Sequence, residues 1–271
     1  MRLINRKPGR PLAFFLLLLP FLAVFLAYTV GSEIRRAENP KDKLLPAPAT
    51  IAETTGRLIS QPDRRSGRVL FWSDTLISLQ RLALGVGIAA LIGLLAGLAI
   101  GLLPYARSLF AGFVSVLSMV PPLAILPILF IVFGLGETSK VALIAIGITP
   151  FLIRDLGQRV LEIPAEMMVK AQTLGASSRV IALRVALPQV LPRLIQAVRL
   201  SLGPAWLFLI AAEAIASDAG LGYRIFLVRR YLAMDVILTY VVWITILAFL
   251  VDFLLKKLGE RAFPWAGTEG L

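Results

Sequence analysis

The sequence contains no cysteine and no histidine, and only 16 of its 271 residues are acidic. Each scarcity excludes a kind of chemistry. Without cysteine there is no disulfide, no thiolate metal site and no cysteine nucleophile. Without histidine there is no Ser-His-Asp triad and no His-ligated metal or haem. The few acids are outnumbered by 28 Lys and Arg, which gives a formal charge of +12. Such an excess suits a nucleic acid only where a soluble scaffold displays it as a patch. Here the basic residues sit in short stretches between long apolar runs, so nucleic acid is not expected as a partner. Hydrophobic residues make up 58% of the chain, against roughly 45–50% in a soluble domain. The composition points to a polytopic membrane protein with basic loops, which its apolar runs make an expected all-α one.

A spanning helix needs about 20 mostly apolar residues. Six stretches qualify: 12–30, 82–103, 111–133, 141–153 with an extension toward Gly157, 197–216 and 236–255. The first follows Arg2, Arg6, Lys7 and Arg10 but is longer than a signal-peptide core, and no A-x-A site follows it, so a retained anchor is expected. The predicted organisation is an N-terminal cytosolic tail and first span (1–30), an extracytoplasmic connector (31–81), a transmembrane core (82–255) and a cytosolic tail (256–271). Six spans place both termini on one side. Fifteen of the basic residues fall in 1–11, 104–110, 154–199 and 252–271. The positive-inside rule puts both termini in the cytosol when the long connector is discounted, and is nearly silent when it is counted. In the connector, Pro40, Pro46 and Pro48 imply extended chain. Thr50–Ser60 reads as a short helix capped by Thr50, with Glu53 at its third position. The connector is read as a solvated link or as a contact surface for a soluble partner.

Within the spans, Gly85, Ala89, Gly93, Gly97 and Gly101 recur every four residues and predict close helix packing, inside the subunit or across a dimer. Pro121, Pro122 and Pro127 predict a bent or broken third span, a device that lines a cavity in some membrane proteins and is ordinary in others. Glu213 is read as the one acid inside a span, with Pro204 and Trp206 on the same helix. An ionisable group at that depth faces the interior. Pro121, Pro122, Pro127, Trp206 and Glu213 are the candidates for a translocation pathway or gate.

Segment 158–196 is predicted to form two short helices outside the membrane. Pro164 opens the first, where Glu166 and Lys170 can pair four residues apart. Gly175 interrupts the pair. Ser177 caps the second helix and Pro188 ends it. The segment reads Lys170-Ala171-Gln172-Thr173-Leu174-Gly175-Ala176-Ser177, and Gly175 is followed by nine residues and then Val185-Ala186-Leu187-Pro188.

That spacing resembles the EAA loop of binding-protein-dependent ABC importer permeases, in which E-A-A, three residues, G, nine residues and I-x-L-P follow in order. Val169 and Lys170 stand where the pattern has Glu and Ala; Ala171 is kept. Leu45-Pro46-Ala47-Pro48, Ser78-Leu79-Gln80-Arg81, the run from Pro121-Pro122 to Phe133-Gly134-Leu135-Gly136, Ala212-Glu213 and Gly220-Leu221-Gly222-Tyr223 are similar to the nitrate/sulfonate/taurine-type permeases. The resemblance covers about residues 44–255.

It implies a MetI-like permease core of six transmembrane helices in the bacterial inner membrane, forming a homodimer with a second copy. The cytosolic EAA loop of each copy, at about 160–190, would dock on a separate ATPase subunit, two in all, through Lys170, Ala171, Leu174, Gly175, Ala176, Ser177, Val185, Leu187 and Pro188. ATP and Mg would belong to those subunits, since the Walker pattern is absent and Gly134–Lys140 reads as a turn. A periplasmic or lipid-anchored binding protein would deliver a small solute such as nitrate, a sulfonate or taurine, for alternating access. The rival readings are the same family with a heterocycle or vitamin precursor as cargo, an intramembrane enzyme, or a channel. An enzyme lacks a pair of intramembrane acids, and a channel lacks polar rings.

Overall fold

A computed structural model describes residues 8–39, 42–63 and 67–266. Arg2, Arg6, Lys7, Pro40 and part of the 61–68 stretch therefore lie outside the described residues. The chain divides into two units, residues 1–69 with 227–241 and residues 70–226 with 242–271. Among the described residues there is no strand.

The first unit contains α1 (Arg10–Glu38), α2 (Pro48–Ser60) and the start of α11 (Met234–Ala262). The Leu45-Pro46 segment is tied to α1: Tyr28 Oη donates to the Pro46 carbonyl at 2.6 Å and Ser32 Oγ to the Leu45 carbonyl at 2.9 Å. The Leu44 amide and the Arg35 guanidinium hold the Asp42 carboxyl below its ordinary range. Helix α2 begins at Pro48 with Ala47 as its cap, and no side chain caps it. The expected Thr50 cap is thus incorrect. Proline at the first helical position moves the cap three residues earlier, because its missing N–H leaves nothing to satisfy there. Thr54 Oγ1 donates to Asp235 Oδ2 at 2.7 Å, joining α2 to α11.

The second unit is built on α3 (Leu70–Leu102), α6 (Glu137–Leu161) and α9 (Leu187–Ile215). The small-residue stripe of α3 faces α6 within one subunit. A methyl group added at Gly85, Gly93 or Gly97 would lie 2.7–2.8 Å from Cβ of Ile144, Leu152 or Leu156 respectively. Lipid is as apolar as these side chains, so close van der Waals contact rather than a hydrophobic driving force holds such helices together. Leu143, Ile144, Leu152, Leu156 and Leu209 are fully buried there.

The contacts rise together along α3 and α6, so the two helices run parallel. The chain between them must return across the same thickness. It does so as α4 (Pro104–Leu117), a 3-10 turn (Pro122–Ile125) and α5 (Leu126–Phe133), bent by 84° at the break. The third span is therefore a broken pair, not one continuous helix over 111–133. Pro121 lies outside the turn, Pro122 opens it and Pro127 sits in the first turn of α5. Among the described residues five helices are long and apolar enough to cross a membrane, or six with the bent pair taken as one span. The fourth span is longer than its apolar stretch, because α6 continues through Arg154 and Arg159 to Leu161.

Candidate functional site

Three features of the second unit bear on function. The first is the segment 164–188, at the end of the core where Gly101, Val160 and Val190 meet. Pro164 caps α7 (Ala165–Thr173) rather than lying inside it, and Ser177 accepts the Val180 amide ahead of α8 (Ser178–Val180). Between the two helices Gly175 has φ +79°, a conformation that costs glycine little and other residues more. Among the described residues no ion pair joins Glu166 and Lys170; along this stretch Arg159 pairs instead with Glu162.

Pro188 does not end the second helix. Ile181–Ala186 form a π-helical turn that runs straight into α9, with the Leu187 amide donating to the Ala182 carbonyl five residues back. Proline has no N–H to give, and it is tolerated early in α9 because the wider turn hands the chain on before its donor is needed. Gln189 Nε2 donates to the Val185 carbonyl at 2.8 Å and reaches Met167 Sδ at 3.3 Å, which fastens α7 to the root of α9. Ala186 is fully buried and Val185 and Leu187 are half-buried, whereas Lys170 and Ser177 are exposed and Ala171 and Ala176 half-buried. Leu174 is 79% exposed, and Met167, Val169 and Leu183 are exposed beside it. The segment thus presents apolar side chains outward from a rigid mount.

The second feature is a cavity of about 640 Å³ lined by residues of α4, the 122–125 turn, α6 and α9. Pro122 is on its wall with Ser118, Val120, Ile146, Phe151, Arg154, Asp155 and Gln158. Phe208 packs so closely on Gly147 that a methyl there would meet its ring at 2.5 Å. Trp206, on α9, is buried, and its indole N–H finds no acceptor among the described residues. Pro121 and Pro127 are exposed and do not line this cavity.

The third feature surrounds Glu213, at the opposite end of the core. Glu213 is fully buried and accepts hydrogen bonds from Ser78 Oγ at 2.7 Å, Arg81 Nη1 at 2.8 Å and the Gly222 amide at 2.8 Å. Arg81 also grips Glu137 with Nε and Nη2, at 2.5 and 2.6 Å, and donates to the Ala219 carbonyl at 2.9 Å. Asp74 accepts the Gly220 amide at 2.9 Å and Arg224 Nε at 2.5 Å. Asp74, Ser78 and Arg81 are spaced to share one face of α3. Gly220 has φ +118°, and a side chain there would strike the Glu213 carboxyl. The start of α10 (Leu221–Arg229) therefore presents its free amides to carboxylates and a hydroxyl, as the helix dipole favours.

Sequence reasoning placed Glu213 alone among acids in the spans, and this is corrected: Asp252 falls within the 236–255 run and on α11, and Asp74 lies in α3 and is buried. Arg81 was placed at the edge of the connector, yet it is 4% exposed. Asp74, Ser78, Arg81, Glu137, Arg154 and Ser118 were not singled out. The available signal was the Ser78–Arg81 and Gly220–Tyr223 wording, which the fold brings together. Among the described residues no three acidic side chains converge as metal ligands would.

Residues 89–263 match the family described as the binding-protein-dependent transport system inner membrane component. The chain is 37% identical to the taurine transport system permease protein TauC of Escherichia coli K12, over 72% of this chain and 71% of that one. It is 28% identical to the putative aliphatic sulfonates transport permease protein SsuC of Bacillus subtilis, over 98% and 93%. It is 31% identical to the bicarbonate transport system permease protein CmpB of Synechococcus elongatus, over 77% of each. In fold it is similar to a chain of the MetNI methionine ABC transporter in an inward-facing conformation, with TM-score 0.62, 22% identity, and coverage of 71% of this chain and 95% of that one. A bent-span core, parallel α3 and α6, and a match across most of the core agree: this chain belongs to the inner membrane components of binding-protein-dependent transport systems.

Proposed function

We propose that the chain is the permease subunit of an ATP-driven importer that moves a small anionic solute, with a sulfonate the leading class. The observation that carries the reading is the mounted segment 164–188. Its exposed Leu174, Val169 and Met167 suit a groove on a separate ATPase, and the π-turn joins it to α9 without a flexible link. A push on α7 and α8 then moves α9 as a lever, and α9 carries both a cavity wall and Glu213. ATP and Mg belong to two partner ATPase subunits. A second copy of this chain completes a homodimer, and a periplasmic or lipid-anchored binding protein delivers the solute. Both termini face the cytosol, which puts the basic segment 154–199 on the ATPase side of the bacterial inner membrane. Relatives whose names specify taurine, sulfonates and bicarbonate support an anionic cargo.

The test is co-purification of the tagged permease with its ATPase, followed by ATP-dependent solute uptake in liposomes with the binding protein present. Stoichiometric ATPase and uptake that requires ATP are expected. Uptake that proceeds without nucleotide would sink the reading in favour of a channel, and substrate turnover by the permease alone would favour an enzyme.

A further inference from the structure

Two cavities of the second unit lie end to end along α6. The first, of about 640 Å³, reaches from Ile146 and Phe208 to Asp155 and Gln158. The second, of about 490 Å³, begins at the same Asp155 and Gln158 and continues past Glu162 to Gln189 and Trp265. The first wall is chiefly apolar, and the second is chiefly polar and charged.

Where one cavity gives way to the other, α6 and α9 are bonded across. Arg193 grips Asp155 with a guanidinium fork, Nε to Oδ2 at 2.8 Å and Nη2 to Oδ1 at 2.5 Å. Arg193 itself lines the second cavity. A bidentate fork demands one geometry, so a shift of α9 against α6 opens it. Farther along α9, Arg199 forks onto Asp252 of α11, Nε to Oδ1 at 2.8 Å and Nη2 to Oδ2 at 2.9 Å. Neither of those two residues lines the two joined cavities, so that pair holds α9 to α11 without crossing the passage.

The cost of opening decides what each ion pair can do. The Asp155 side chain is 16% exposed and that of Arg193 38%. Water reaches both charges when they part, and partly exposed pairs are among the weaker ones. The side chains of Arg81 and Glu213 are 5% and 0% exposed, and parting them strands two charges away from water. The pair at the passage suits breaking and remaking in every cycle; the buried pair suits staying made.

We propose that the Arg193–Asp155 pair is a gate at the cytosolic side of the transport path, shut while the fork is made and open when α9 carries Arg193 away from α6. The proposal rests on the permease reading and names the moving contact within it. Alternating access requires this side to be shut while the outer side is open.

The chain has no cysteine, so one introduced thiol on the permease reports alone. Ile146→Cys puts it on the wall of the first cavity. The whole importer, permease with ATPase, is placed in inside-out membrane vesicles, and labelling by small impermeant thiol reagents, one anionic and one cationic, is timed. This parent is expected to label slowly with ATP and vanadate, which hold the ATPases closed, and faster without nucleotide. Adding Asp155→Asn or Arg193→Gln is expected to raise the rate with ATP and vanadate about threefold to fivefold for both reagents, the scale of one partly exposed ion pair. The nucleotide-free rate is expected to stay at the parent's. Asp155→Arg combined with Arg193→Asp is expected to bring the rate back toward the parent's, and Arg199→Gln to leave it there.

Parent rates in both single variants overturn the proposal. So do changes of opposite sign for the two reagents, which report altered charge in the cavity and not an opened path. An equal rise in Arg199→Gln, or a rise that also appears without nucleotide, reports a loosened fold and overturns it too. A parent whose rate ignores nucleotide has no gate at this place. If Asp155→Asn fails to fold, Arg193→Gln carries the test alone. Labelling needs no transport, so a failed gate leaves the permease reading to its own co-purification test. A permease that binds no ATPase removes that reading and the proposal with it.

Discussion

At one end of the α3–α6–α9 core, Asp74, Ser78, Arg81 and Glu213 are buried and bonded to one another; at the other end, Leu174, Val169 and Leu183 are exposed. Polar groups are inside at the first end and apolar groups are outside at the second, the reverse of a soluble protein's habit. The buried polar cluster is satisfied internally. Glu213 accepts from a hydroxyl, a guanidinium and an amide, and Arg81 donates to two carboxylates and a carbonyl. Such a cluster fixes three helices and the 216–222 turn in one arrangement, because any half-broken version strands a charge away from water. The exposed end fixes little within the chain. In the reading proposed above, its apolar side chains find their counterpart on an ATPase, so that one end holds the chain and the other is held.

The largest expected effect lies at the buried end. Removing one partner of a buried ion pair costs about 3–5 kcal/mol. Glu213→Ala is expected to lower the thermal unfolding temperature in detergent and the yield of intact permease. An Arg81→Met/Glu213→Leu double variant should lose less than the two single losses added together. Strict additivity would show that the two side chains are not coupled, and the contrast between the ends would weaken.

Gly93→Leu probes the core between the ends. Its side chain would enter where Leu152 already sits, and overpacking costs about 1–3 kcal/mol. Unfolding temperature is expected to fall, with ATPase co-purification reduced only as far as folded protein is lost.

At the exposed end the effects on stability shrink while those on function remain. Gly175→Val places a β-branched residue at φ +79°, a local strain of about 1–3 kcal/mol confined to the turn between α7 and α8. Uptake driven by ATP is expected to drop severalfold while the global unfolding temperature stays near wild type. Leu174→Ser is the smallest perturbation of the fold, within about 0.5 kcal/mol, as for other exposed sites. Its expected reading is weaker ATPase co-purification. If Leu174→Ser instead unfolds the protein, the mounted segment is part of the core and the comparison fails.

Much of this was legible in the sequence because lipid imposes a simple rule, that a span is a long apolar run. The run at 236–255 lies inside α11, those at 82–103 and 197–216 overrun α3 and α9 by one residue each, and Pro121, Pro122 and Pro127 marked the break in the third span. Glycine spacing told that α3 is closely packed, but not against what, since a stripe of small residues carries no mark of its partner. Pro188 was misread because proline usually ends a helix, and a π-turn that absorbs it leaves no residue signature. The cluster around Glu213 was the least legible part. Arg81 and Glu213 are 132 positions apart, and hydropathy averages a lone charge into its apolar neighbours.

The separation of Arg81 from Glu213 has a consequence for how the protein is made. Chains are synthesised at roughly 5–20 residues per second, so the 132 residues between them take roughly 7–26 s, during which Arg81 is already in place and Glu213 does not yet exist. Glu137 follows Arg81 by only 56 positions and emerges well before. Of the two carboxylates that pair with Arg81, the one at the start of α6 is thus made first and Glu213 second.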